Sequence, residues 1–411
     1  MIYTLRMPYN QGLYVQWIES LDRTNLEYKE ILVNWNGDDG RETNLHWDSF
    51  LSFKSNRDYI SSHLTDDDVL IMDSYFISPL SDDNANRLNT LIDEFNCKQI
   101  IIFHPDTGFN SSDVFGWNGN NKLKIFSPVY NKNWDESVSK KHYNFYLCNG
   151  AYQSDKWLSQ FVTTRYRHML KYKKFMTHNG VYKGHRTLIY DTLVKNDLLK
   201  DTFFSYSAYN IFDDNVVTSE SYERDTEYSN HMNEVLQNST ESELEEIYSR
   251  DRHKEILKEL PIVLDYIPNL SNVDQYAFTL PYTCNSYVEL IGCTSIGDYG
   301  TEIYTSEKIF KPFMSFQIPI FFGQQGLVKH LRRLGFNMFD DIIDNSYDEI
   351  ENNLERMKSV SELVKTVGSW SREELHNKWN SQLDAMYHNS DVMKELFHLQ
   401  SENLKNVING N

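Results

Sequence analysis

Short apolar runs separated by longer mixed stretches set the rhythm of the first third of the chain. Ile2 to Met7, Ile31 to Trp35, Val69 to Met72, Ile100 to Phe103 and Lys122 to Phe126 each read as a strand, with Tyr143 to Leu147 as a sixth. Between them, Gly12 to Leu21 gathers Leu13, Trp17, Ile18 and Leu21 on one helical face, and Asp82 to Phe95 is compatible with a helix. Strands alternating with helices predict βαβ units and a mostly parallel sheet. From Ser154 to Leu170 the pattern changes to one amphipathic stretch carrying Trp157, Leu158, Phe161, Met169 and Leu170, the expected connection between two domains.

The alternation then resumes. Lys174 to Thr177, Phe203 to Ser207, Ile262 to Asp265, Ser286 to Ile291 and Ile318 to Phe322 read as strands, and His185 to Leu199, a segment from Thr305, and Gly326 to Leu334 read as helices. Residues 213–260 are polar and acidic, an insertion followed by a helix over Glu241 to Glu259, and Ser371 to Ile408 looks helical throughout. No 20–50-residue period is present, which excludes a solenoid. The expected fold class is therefore α/β, with residues 1–155 and 171–365 as two Rossmann-like domains facing a cleft. Residues 156–170 join them, and 366–411 form C-terminal helices that cross back onto the first domain.

Composition narrows the functions open to such a chain. At 411 residues it exceeds the usual size of one core, and 40% hydrophobic with 14% aromatic residues excludes a mainly disordered protein. Forty Lys and Arg against 59 Asp and Glu give a net charge of −19, so a polyanionic partner must use a local basic patch. One is available: Arg165 to Arg186 holds seven Lys or Arg, three His and no carboxylate, a local +7 against −26 elsewhere. Arg165, Arg167 and Lys171 head this stretch as candidate phosphate-backbone contacts, with Tyr166, Tyr172 and Tyr182 for stacking; alternatively the patch serves a bound diphosphate and the interdomain surface. Cys97, Cys148, Cys284 and Cys293 form neither a disulfide framework nor a zinc pattern. With no stretch near the length of a membrane span, the chain reads as soluble and cytosolic, without a membrane partner.

The densest chemistry lies between Tyr287 and Phe339. A buried strand passes through Glu289, a polar loop carries Gly297, Gly300 and Glu302, and Thr305-Ser306-Glu307-Lys308 opens a helix. Thr305 or Ser306 can cap it, leaving main-chain N–H groups where an anion such as a diphosphate is favoured. Glu307 can hold two vicinal hydroxyls, as on a ribose, while Lys308 or Lys311 neutralises charge on a phosphate leaving group. An ordinary acidic helix start with solvated lysines is the plainer alternative. Upstream, Asn179 follows a strand, and His185 and Arg186 head a helix where a carboxyl-end crevice is expected. Arg186 can clamp phosphate in bidentate fashion, or pair with an acidic neighbour while His185 merely caps.

These two blocks resemble the donor-binding domain of phage-encoded glycosyltransferases of GT-B shape, and the Ser306-Glu307-Lys308 core is similar to the Thr-Glu-Lys motif of fucosyltransferases. The resemblance covers about a quarter of the chain. It implies transfer of a sugar from a nucleotide diphosphate sugar, a UDP-sugar first among them, to a hydroxyl, with no tightly bound cofactor and no required metal. Ser306 stands where fucosyltransferases carry Thr, so guanosine-diphosphate fucose does not follow. The phage-like character implies hydroxymethylated cytosine in double-stranded DNA as acceptor, glucose or arabinose as the sugar, and the host cytoplasm as setting. A surface polysaccharide, lipid or small-molecule acceptor is the alternative, and a noncatalytic nucleotide-binding or virion protein a third reading.

An acceptor hydroxyl must lose a proton as the anomeric carbon becomes cationic, which calls for a carboxylate or imidazole in the first domain. Asp73, just past Val69 to Met72, is the first candidate, and Asp106 with His104 as its partner, past Ile100 to Phe103, the second. Tyr9, Asn10, Gln11 and Gly12 follow the first strand and should line the acceptor crevice; the loop is not a GxGxxG, which disfavours a dinucleotide oxidoreductase. Asp66 to Asp68, Asp82-Asp83 and Asp340-Asp341 are acidic runs of the kind that bind divalent metal, but solvated turns and helix starts account for most such runs.

Overall fold

The computed structural model describes residues 1–6, 18, 21–22, 24–32, 54–73, 94–103, 122–127, 129–131, 142–144, 162–179, 184–206, 280–294, 296 and 302–410. The helix expected over Gly12 to Leu21 lies mostly outside these residues. Those expected over Asp82 to Phe95 and Glu241 to Glu259, and the strand over Ile262 to Asp265, lie almost wholly or wholly outside them. Two compact units divide the chain: Met1–Asn149 with Leu270–Tyr276 and Glu395–Asn411, and Gly150–Asn269 with Ala277–Lys394. Each is built on a parallel sheet, and the fold class is α/β.

In the first unit the strands are β1 (Ile2–Arg6), β2 (Tyr28–Leu32), β3 (Val69–Asp73), β4 (Gln99–Phe103), β5 (Leu123–Ser127) and β6 (His142–Asn144), with helix α1 (Lys54–Ser61) before β3. They lie in the order β2-β1-β3-β4-β5-β6, every pair parallel. Central β4 is buried along its whole length, which is why its sequence is a continuous apolar run rather than an alternation. Edge strand β2 buries only Ile31, and for that reason the apolar run Ile31 to Trp35 misplaces it by three residues. Ile2, Val69, Ile71, Ile101 and Phe126 pack in one cluster with Leu404, Val407 and Ile408 from the far end of the chain. Phe126 stacks between Phe103 and Tyr143, each ring centroid 5.0 Å away.

The second unit carries β7 (Lys173–Asn179), β8 (Thr202–Tyr206), β9 (Ser286–Gly292) and β11 (Ile318–Phe322) in the order β11-β9-β7-β8, again all parallel, while the short strand β10 (Glu302–Tyr304) lies outside this sheet. Its helices are α2 (Gly184–Lys195), α3 (Glu307–Met314), α4 (Leu327–Arg333), α5 (Asn353–Ser369) and α6 (Arg372–Ser381). The final helix α7 (Leu383–Asn409) starts in this unit and from Glu395 onward belongs to the first. The tail is helical as expected, in two helices interrupted at Gln382. Helix α3 starts at Glu307 rather than Thr305, with Ser306 as its N-cap.

Helix α5 has no counterpart in the sequence reading. Its Leu354, Met357, Val360, Val364 and Val367 form the buried stripe, and Asn352 caps it by accepting from the Glu355 N–H at 3.0 Å. Thr192 of α2 and Ser361 of α5 share a hydroxyl hydrogen bond at 2.9 Å. Just past the end of α2, Leu198 packs so closely on α5 that a Cβ on Gly368 would lie 2.5 Å from its methyl.

Both sheets reverse direction at their first strand. The chain places β2 on one side of β1 and β3 on the other, then repeats the manoeuvre with β8 and β9 about β7. Such switch points leave a crevice beyond the carboxyl ends of the two diverging strands, the usual ligand position in open α/β sheets. Among the described residues no helix is long and apolar enough to cross a membrane.

Candidate functional site

The β7/β9 switch point of the second unit gathers most of the residues expected to hold a donor. Asn179 ends β7, Gly292 ends β9, and α2 begins five residues after Asn179. A Cβ on Gly292 would lie 2.6 Å from Cγ of Arg186 and 2.7 Å from Oδ1 of Asn179, so glycine is what lets both side chains lie over the strand end. Oδ1 of Asn179 is buried and has no hydrogen-bond partner among the described residues, although Nδ2 donates to the Thr177 hydroxyl at 3.1 Å.

His185 and Arg186 are drawn inward by the main chain of the next strand. Nε2 of His185 is 2.7 Å from the Cys293 carbonyl oxygen, while Arg186 donates from Nε to Gly292 O at 3.2 Å and from Nη2 to Cys293 O at 3.4 Å. With 2% of its surface exposed, Arg186 is a strut across the switch point more than an open clamp. Burial presses its pKa below the ordinary arginine value, against which Tyr206, Cys293 and Glu307 act. The last of these links α2 to α3: the Arg186 and Glu307 charges are close enough to feel one another.

On the α3 side, Thr305 and Ser306 are almost fully buried. Ser306 occupies the N-cap position, but its hydroxyl makes no capping bond and has no hydrogen-bond partner among the described residues, while Ile309 N–H turns to the Ser306 carbonyl at 3.1 Å. Glu307 accepts from Lys308 and from its own main-chain N–H. Burial pushes the Glu307 carboxyl up, but the Lys308 and Lys311 charges with those hydrogen bonds outweigh it and hold the group below its usual range. Glu289, in the middle of fully buried β9, goes the other way: burial raises its pKa, and Lys311 and Lys308 offset this only in part. One carboxylate is thus kept charged and its neighbour pushed toward neutrality within reach of the same two lysines. Glu302 lies in β10, and its side chain is outside the described residues.

Several residues that shape this crevice carry no motif. Burial lifts the Cys293 thiol to about 12 despite Arg186, Lys308 and Arg356 nearby, so it stays protonated and is no nucleophile. Gly323 makes room for Cys293: a Cβ there would lie 2.7 Å from Sγ and 3.1 Å from Leu327. Arg356 of α5, 1% exposed, donates to the carbonyls of Gly323 at 3.0 Å, Ile350 at 2.7 Å and Ile296 at 2.8 Å, and to Asn353 Oδ1. It ties the loops after β9 and β11 to one helix. Asp348 performs a similar service for α4, accepting from the N–H groups of Val328 and Lys329 at 2.9 Å each.

The remaining expectations are more scattered. Asp73 is the last residue of β3, in register with Phe103, and so stands at the carboxyl end of the first unit's own switch point; its side chain is outside the described residues. Tyr9, Asn10, Gln11, Gly12, His104 and Asp106 are outside them altogether. Asp68 accepts from the Thr65 N–H at 2.7 Å and hydroxyl at 2.8 Å and pairs with the chain's first amino group at 2.9 Å, the pattern of a closed turn. Arg165 and Arg167 are exposed. Lys171 is not: it is fully buried, with Nζ on the Ser286 carbonyl at 2.9 Å and the Trp379, Tyr287 and Tyr166 rings at 4.5, 5.6 and 5.7 Å. The expected acceptor contact is therefore a core residue, held there because three ring faces and a carbonyl can host an ammonium away from water.

Comparison with protein-family profiles and with curated protein sequences finds no match. Among solved structures, a glycosyltransferase from Rickettsia africae ESF-5 is similar over 98% of this chain and 98% of that one, at 11% identity and a TM-score of 0.39. That likeness is too distant to bear on the chemistry, which rests on the residues themselves.

Proposed function

We propose that the chain is a glycosyltransferase that holds a nucleotide diphosphate sugar at the β7/β9 switch point of its second unit. One observation carries this reading: two buried polar atoms without partners among the described residues, Asn179 Oδ1 and Ser306 Oγ, stand at the strand end and helix start where Arg186, Glu307 and Lys308 also converge. Buried polar groups in native proteins are nearly always satisfied, so an orphaned pair beside a cationic crevice is best explained by a polar ligand. Glu307, kept ionised, accepts from sugar hydroxyls of the nucleoside, and Lys308 and Lys311 neutralise the diphosphate as the bond from the anomeric carbon to its phosphate oxygen breaks. The acceptor oxygen forms the new bond and its proton passes to a carboxylate, for which Asp73 is the proposed base. A UDP-sugar is the proposed donor, without a required metal, in a cytosolic setting.

Hydroxymethylated cytosine in duplex DNA is the acceptor implied by the resemblance and by the basic stretch 165–186. Burial of Lys171, Lys174 and Arg186 removes three of its seven cations from any phosphate track, and this favours the alternative acceptor, a hydroxyl on a glycan, lipid or small molecule. Thermal-shift titration with uridine, guanosine and cytidine diphosphates tests the donor half. A ligand at 100 times its Kd adds about 2.7 kcal/mol of stability, and Lys308→Ala should abolish the shift. If no nucleoside diphosphate stabilises the chain, the proposal is abandoned. Mass spectrometry of hydroxymethylated oligonucleotides and of glycans after incubation with UDP-sugars separates the two acceptor classes. A variant pair Glu307→Ala and Lys308→Ala indifferent in every assay would leave the noncatalytic reading.

A further inference from the structure

We propose that the turn 167–172 of the second unit is an anchor for the surface of an anionic lipid bilayer. Of the eight large hydrophobic side chains exposed among the described residues, three fall in this one turn: Met169 at 55%, Leu170 at 38% and Tyr172 at 64% exposed. Clusters of this kind on a protein surface mark contact sites, whereas single exposed hydrophobics are commonplace. Arg165, Arg167 and His168 are exposed beside them, and the Arg372 guanidinium reaches the Tyr172 carbonyl at 3.4 Å. Glu373 and Glu374 follow Arg372 on α6, which leaves these three arginines and two glutamates with a net charge of +1 among the described residues. In a chain of net charge −19 this is a local inversion of charge.

The turn is presented rigidly. Between the exposed residues, Lys171 plunges into its aromatic cage, its main-chain N–H donating to the Tyr287 hydroxyl at 2.8 Å, and Asn380 donates to the Arg167 carbonyl at 3.2 Å. An apolar tip with a collar of guanidinium groups, held on a stiff support, matches the boundary between anionic headgroups and acyl chains. Duplex DNA would use the cations but leave Met169 and Leu170, which have no ring to stack, exposed against phosphate. Attachment of this kind needs no spanning helix, and it does not depend on the proposed sugar transfer, because it is read without any donor.

The test is sedimentation of the 411-residue chain with vesicles of phosphatidylcholine alone and with about 30% phosphatidylglycerol. Binding is expected only to the anionic vesicles, weakening as salt rises. Met169→Ser with Leu170→Ser should lower the partition coefficient about tenfold, and Arg165→Gln or Arg167→Gln about fivefold each, all with unchanged thermal unfolding. Tyr172→Ser serves as a second apolar variant should the pair fail to fold. Absence of binding to anionic vesicles, or binding indifferent to these substitutions, overturns the proposal. So does a self-association in ultracentrifugation that the Met169/Leu170 variant abolishes, which would make the turn an interface between copies. Retention of vesicle binding with loss of oligonucleotide binding in the arginine variants would assign the surface to nucleic acid instead.

Discussion

Replacing Gly292 by Ala probes the switch point with one methyl group. Gly292 has an ordinary backbone conformation, so the objection to a side chain is space, not φ. The new carbon would sit 2.6 Å from Arg186 Cγ and 2.7 Å from Asn179 Oδ1, both closer than real Cβ contacts come. Arg186 cannot swing clear without giving up its bonds to Gly292 O and Cys293 O. Overpacking of this kind costs about 1–3 kcal/mol, and loosening a charged hydrogen bond adds about 1.5–3 kcal/mol, partly offset by about 0.4–1 kcal/mol from a stiffer unfolded chain. A net loss of about 2–5 kcal/mol is expected. Because two units need not unfold together, it should be read from hydrogen exchange in peptides spanning β7 and β9. Combined with Arg186→Ala, the cost should fall short of additivity by at least about 1 kcal/mol. Gly368→Ala is the control, since it creates an equal clash, 2.5 Å from Leu198, where Gly368 O meets Lys174 near the opposite end of β7. With only a leucine end to displace it should cost less, about 1–3 kcal/mol, and leave nucleoside diphosphate binding intact, whereas Gly292→Ala should weaken it. Additive energies, or equal binding losses in both variants, would refute the reasoning.

Three further outcomes follow from other contacts. Ser306→Ala should change stability by less than about 0.5 kcal/mol because its hydroxyl caps nothing, while Ser371→Ala, which loses a 3.0 Å bond from the Glu374 N–H, should cost about 1 kcal/mol in urea unfolding; the first should nevertheless weaken ligand binding. Arg356→Lys should cost about 3–5 kcal/mol and raise hydrogen exchange around both loops it ties, since an ammonium cannot span Gly323, Ile350 and Ile296 at once. Burial draws the Lys171 pKa from 10.5 to about 7, so above that value the unfolded chain binds the extra proton and stability should rise with pH. The slope is at most about 1.4 kcal/mol per pH unit between pH 7 and about 8.5, where thiols begin to titrate, and Lys171→Met should flatten it. A wild-type profile already flat would mean that the three rings keep the ammonium charged.

What the sequence discloses depends on how local the cause is. Ile318–Phe322 is readable to the residue because its apolar run is walled by Gln317 and Gly323, and the helix beginning at Glu307 is readable to within two residues because Thr-Ser-Glu-Lys is a local pattern. Helix α5 escaped because its stripe is made of Val360, Val364 and Val367, residues that favour strands in isolation, and packing against α2 overrides that preference. The candidate donor residues could be named, but not what His185 and Arg186 do, since their partners are main-chain carbonyls over a hundred positions away. Lys171 gave the opposite difficulty: a lysine between Leu170 and Tyr172 counts as surface charge until the fold closes an aromatic box around it.

The cluster that joins Ile2 to Leu404, Val407 and Ile408 has a consequence for biosynthesis. Residues about four hundred positions apart must meet before the first sheet's core is sealed, so that sheet emerges from the ribosome early and waits, one apolar flank bare, through almost the whole of translation. A fragment limited to 1–149 should therefore precipitate or recruit chaperones, and adding the 395–411 peptide in trans should rescue its solubility.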